Sequence, residues 1–85
     1  MTQRSNAKQH FEINARGLTF TETCHGAGIG AWSKMMDRIN ERLFGTTNVS
    51  LAALDKTEDG VSVMTLRCRA TERRVVAIVR EIQAL

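Results

Sequence analysis

Apolar and polar residues alternate from Phe11 to Ala15, with Phe11, Ile13 and Ala15 in one phase and Glu12 and Asn14 in the other. After Arg16-Gly17 the alternation resumes, Leu18 and Phe20 against Thr19, Thr21 and Thr23. A period of two places one side of a strand on a core and the other in water. Gly17 supplies the positive φ of a tight turn, so the two segments predict a β-hairpin. The period then changes. Trp32, Met35, Met36, Ile39 and Leu43 recur at three- and four-residue spacing, which predicts an amphipathic helix ended by Gly45 at its C-terminal cap. Val49, Leu51 and Ala53 alternate again and predict a third strand. Thr57-Glu58-Asp59-Gly60 reads as a turn, and Val61 to Ala70 as a fourth strand. There Met64, Leu66 and Cys68 share the inward phase, while Val63, Thr65, Arg67 and Arg69 share the outward one.

The last segment fits two patterns. Thr71 with Glu72 in the next position suits the start of a second helix whose stripe is Val75, Ile78, Val79, Ile82 and Leu85. The run Val75-Val76-Ala77-Ile78-Val79 is rich in β-branched residues and suits a fifth strand instead. Continuation of the stripe through Ile82 and Leu85 favours the helix. The expected fold is therefore α+β in two layers, ββαββα, an antiparallel sheet with two helices packed on one face. The other face would carry Glu12, Asn14, Thr19, Thr21, Thr65, Arg67 and Arg69. Residues 1–10 read as a flexible polar N-terminal arm and residues 11–85 as a single domain.

Composition adds limits. Eighty-five residues, 42% apolar and 25% charged, allow one globular domain with a thin core. Domains of this size often gain stability by pairing, so a homodimer is expected. No apolar run could cross a bilayer, and no apolar stretch follows Arg4 and Lys8 as in a secretory signal. Two cysteines are too few for a disulfide scaffold, so a cytoplasmic chain with buried thiols and no membrane contact is expected. The net charge of +3 is a mild basic bias.

Four constellations invite chemistry. Gly26-Ala27-Gly28-Ile29-Gly30-Ala31 fits G-x-G-x-x-[GA] between a strand and a helix, with Asp55 near the distance of a ribose contact. The preceding strand alternates with threonines where a central parallel strand would be apolar throughout, and the chain is short for a doubly wound sheet. What remains is an anion-binding or ligand-binding loop of Gly26, Gly28 and Gly30 beside Cys24 and His25. Cys24 next to His25 suggests a thiol nucleophile and its base, but neighbours on a strand point to opposite faces. His10, Cys24, His25 and Cys68 lack paired metal-ligand spacing, so neither metal nor cofactor is expected. Lys34, Arg38 and Arg42 along the helix, and Arg67, Arg69, Arg73 and Arg74 near the end of the fourth strand, are candidate phosphate contacts for nucleic acid. Asp37 and Glu41 interleave with the first row, and no outward aromatic offers base stacking. These readings favour a non-enzymatic binding or regulatory module acting on a protein partner, with nucleic-acid binding second and a small-ligand or thiol enzyme third.

Overall fold

The computed structural model describes residues 8–82. The chain runs β1 (Lys8–Ala15), β2 (Leu18–His25), α1 (Ile29–Phe44), β3 (Val49–Lys56), β4 (Ser62–Cys68) and β5 (Arg74–Ile82). One five-stranded sheet results, in the order β2-β1-β5-β4-β3 with every pair antiparallel. The edge strands β2 and β3 therefore point the same way, and α1 carries the chain across the sheet from one edge to the other. Of the expected N-terminal arm, Lys8–His10 belong to β1 and residues 1–7 lie outside the described residues. No helix among the described residues is long and apolar enough to cross a membrane.

The expected second helix does not form, and the ββαββα arrangement is corrected to ββαβββ, one helix on five strands. Arg74–Ile82 is β5, at the centre of the sheet between β1 and β4. Its burial has a period of two, with Val75, Ala77 and Val79 buried and Val76, Ile78 and Arg80 exposed. Both phases are apolar, so the helical spacing of Val75, Ile78, Val79 and Ile82 arises by coincidence. Pairing decides the outcome: without β5, β1 and β4 would each expose a row of unpaired backbone groups. Branched side chains also suit the pleat better than a helical turn. Thr71, expected as a helix cap, serves the β4–β5 turn, where its hydroxyl accepts from the Arg73 N–H at 3.3 Å. The end of the expected helix, residues 83–85, lies outside the described residues.

The helix packs chiefly on the β2 side of the sheet. Met35, Ile39 and Leu43 are buried against Phe11, Ile13, Phe20 and Val79. Trp32 meets Phe11 edge to face, with centroids 5.6 Å apart. Two basic side chains pin the outer flank: Arg38 pairs with Glu22 at 2.8 Å, and the Arg42 guanidinium lies 4.5 Å over the Phe20 ring. The C-terminal end is closed twice. Gly45, at φ 75°, donates its N–H to the Glu41 carbonyl at 2.8 Å, and Arg16 donates to the Leu43 carbonyl at 2.8 Å.

Five strands spaced about 4.8 Å apart span roughly 19 Å between the outermost axes. One helix is about 10 Å across with its side chains. A single helix on the β2 side therefore leaves the β3 edge of that face least covered: Leu51 and Leu54 stay half-exposed, whereas Met64 and Leu66 of β4 are buried.

The groove between the helix and the β3–β4 hairpin as candidate site

Between the helix and this edge lies a groove of about 340 Å3. Its helix wall is the row Ile29, Trp32, Met36 and Asn40, spaced three, four and four residues apart. This row lies beside the one that packs on the sheet, so α1 has two apolar flanks, one covered by β1 and β2 and the other facing the groove. Its floor is Met64 and Leu66 of β4 with Leu51 and Leu54 of β3.

Leu54 reaches the floor through a β-bulge. The register of β3 against β4 shifts between Leu51 and Ala53, so Leu51 lies opposite Leu66 and Leu54 opposite Met64. Both leucines then face the helix layer although their spacing of three would put them on opposite faces of a regular strand. Leu51 and Leu54 are 53% and 49% exposed, and Ile29 at the mouth is 86% exposed. Asn40 is the exception in this apolar setting. It is 6% exposed, and its Oδ1 is buried without a hydrogen-bond partner among the described residues. The sequence carried a signal for it, since Asn40 falls in phase with Trp32 and Met36. The bulge carried none.

The glycine-rich segment leads into α1. Gly26 and Gly28 have φ near 104° and 103°, Gly28 is the N-cap without a side-chain cap bond, and Gly30 lies in the first helical turn. A dinucleotide arrangement is absent: β2 and β3 lie at opposite edges of an antiparallel sheet, and Asp55, opposite Val63, faces away from the helix layer. Cys24 is buried and its thiol donates to the Gly26 carbonyl at 3.6 Å, whereas His25 is exposed in the opposite phase. The two form no dyad.

Cys68 is the thiol with a perturbed titration. The Thr71 hydroxyl and then the Thr71 N–H stabilise its thiolate and hold its pKa below the ordinary thiol value, with smaller help from the Ala70 N–H and Arg73 and partial opposition from burial. It is buried outside the main core cluster, under the β4–β5 turn. No cluster of His, Cys, Asp or Glu suited to a metal ion occurs among the described residues.

The two basic groups lie on opposite layers. Lys34, Arg38 and Arg42 belong to the helix layer, and Arg38 and Arg42 are engaged with Glu22 and Phe20. Arg67 and Arg74 are cross-strand partners on the open face, where Glu72 pairs with Arg67 at 2.9 Å and offsets the juxtaposition of like charges. Arg69 and Arg73 sit in the same hairpin. Among the described residues Arg69, Arg73 and Arg74 form no salt bridge.

No family model matches this chain, and neither a curated protein nor a solved structure matches it.

Proposed function

We propose that this chain is a non-enzymatic binding module that receives an apolar guest in the groove between α1 and the β3–β4 hairpin. The observation that carries the reading is the groove itself: about 340 Å3, walled by Trp32 and Met36 and floored by Leu51, Leu54, Met64 and Leu66. A largely apolar concavity of this size with few polar groups is the usual form of a small-ligand site. Binding is favoured over catalysis because Cys24 and His25 diverge and neither lines the groove. Trp32 is the chain's sole tryptophan and there is no tyrosine, so intrinsic fluorescence reports on this wall. Titration with 1-hexanol is expected to change that emission saturably, with a Kd near the millimolar range, equivalent to ~4 kcal/mol. Leu54→Lys, at a half-exposed position, is expected to abolish the response while circular dichroism stays unchanged. An identical response in the variant would overturn the reading.

A second reading concerns the open face. Val76 and Ile78 are 53% and 43% exposed on the central strand, and the same face carries both members of the Arg80–Glu12 pair at 2.7 Å. Two copies related by a two-fold axis near β5 would cover these valine and isoleucine side chains with each other and set opposite charges face to face. Sedimentation velocity over a hundredfold concentration range tests it. Association lost in Ile78→Lys supports the reading, and a monomer throughout refutes it.

A further inference from the structure

Asn40 and Asp37 lie together on the helix wall of the groove, whose other polar side chains are Ser33 on the same helix and Ser50 on β3. Asn40 is 6% exposed, its Oδ1 has no partner among the described residues, and Asp37, three residues earlier, is the one charged side chain among the described residues of the lining. Residues three apart on a helix are neighbours on its surface, so the amide and the carboxylate flank one point of the wall. Both offer acceptor oxygens. Resting on the groove reading above, we infer that the groove selects a small apolar amine, with its ammonium between Asn40 and Asp37 and its hydrocarbon body against Trp32, Met36, Leu51 and Leu54.

The chemistry follows from donor and acceptor inventories. An ammonium has three donors and no acceptor, so it can satisfy Asn40 Oδ1 and the Asp37 carboxylate at once. The Asn40 amide turns about a broad terminal torsion, which lets Oδ1 swing toward a guest on the wall it already lines. A carboxylate head would face Asp37 with like charge. Its alternative is the N-terminus of α1, eleven residues from Asn40 and therefore about 16 Å away along the axis, where a carboxylate would leave Asn40 and Asp37 unengaged. The chain's net charge of +3 opposes any cation weakly and at long range, so selection rests on the local carboxylate.

The experiment titrates Trp32 fluorescence with three probes of one length: hexylamine, 1-hexanol and hexanoate. Hexylamine is expected to bind about three- to fivefold more tightly than hexanol, the range of a partly exposed charge pair, and hexanoate more weakly than either. Asp37→Asn is expected to remove that advantage while leaving hexanol unchanged. Asn40→Leu is expected to bring hexylamine down to hexanol with its fold intact by circular dichroism. Equal affinities for all three probes, or tightest binding of hexanoate, would overturn the amine preference and leave the groove reading standing. Failure of all three, or binding untouched by Leu54→Lys, would overturn both.

Discussion

Replacing Asn40 by leucine should make the protein more stable, and the size of the effect can be worked from the structure. Asparagine and leucine carry the same number of side-chain heavy atoms, so the exchange keeps the shape of the site and opens no cavity. Asn40 Oδ1 is buried without a partner among the described residues. Leaving a buried acceptor unsatisfied costs about 1–3 kcal/mol, and the apolar replacement removes that cost. Leucine also has the better helix propensity at a position inside α1, by a few tenths of a kcal/mol. A gain of about 1–3 kcal/mol in a domain of this size raises Tm by at least about 4 °C. Differential scanning calorimetry of wild type and Asn40→Leu measures it, with Asn40→Ala as the control that removes the amide but leaves a gap. A Tm that falls or stays level in the leucine variant would show that Oδ1 is satisfied in solution, and the argument for a polar recognition point in the groove would lose its footing. A raised Tm together with lost hexylamine preference would mean that Asn40 is retained at a cost in stability, a pattern expected of binding residues.

Three further outcomes test other parts of the structure. Arg16→Ala should destabilise the fold by about 1 kcal/mol, because the Leu43 carbonyl loses a charged donor at the negative end of the helix dipole; an unchanged urea midpoint would refute the cap. Cys68 has a thiol pKa held down in the folded state, so its contribution to stability is full above the unfolded thiol pKa and is lost as pH falls through the folded value. Stability should therefore rise with pH across the thiol range, more steeply in wild type than in Cys68→Ser, and Thr71→Val should move the thiolate absorbance midpoint upward. Any binding of random duplex DNA at the β4–β5 hairpin should involve about three phosphates, through Arg69, Arg73 and Arg74, giving log K against log salt a slope near −2.7. A slope beyond about −5 would point to a larger basic surface than the hairpin offers.

Much of the fold was legible in the residues themselves. The period of two in β1 and β2, Gly17 between them, the three- and four-residue spacing of α1 and the left-handed Gly45 are local features, and local sterics set them. The inward phase of Phe11, Ile13, Ala15, Phe20, Met64 and Leu66 also follows from alternation, because half-buried strands must sort their side chains by face.

Tertiary structure decided the rest. Residues 74–82 satisfy a helical stripe and a strand alternation equally well, and the choice depends on β4, the hairpin neighbour, and on β1, far away in sequence, which both need a partner between them. That choice consumes the segment that would have been the second helix and leaves the β3 edge of one sheet face exposed. The bulge before Ala53 then turns Leu54 into the opening, and the path of α1 places Asn40 on its wall. The sequence by itself determined which residues are apolar and with what period. Which backbones pair across the middle of the sheet, and therefore where an apolar surface stays open, is set by hydrogen bonds between the distant strands β1 and β5, and no local window contains them.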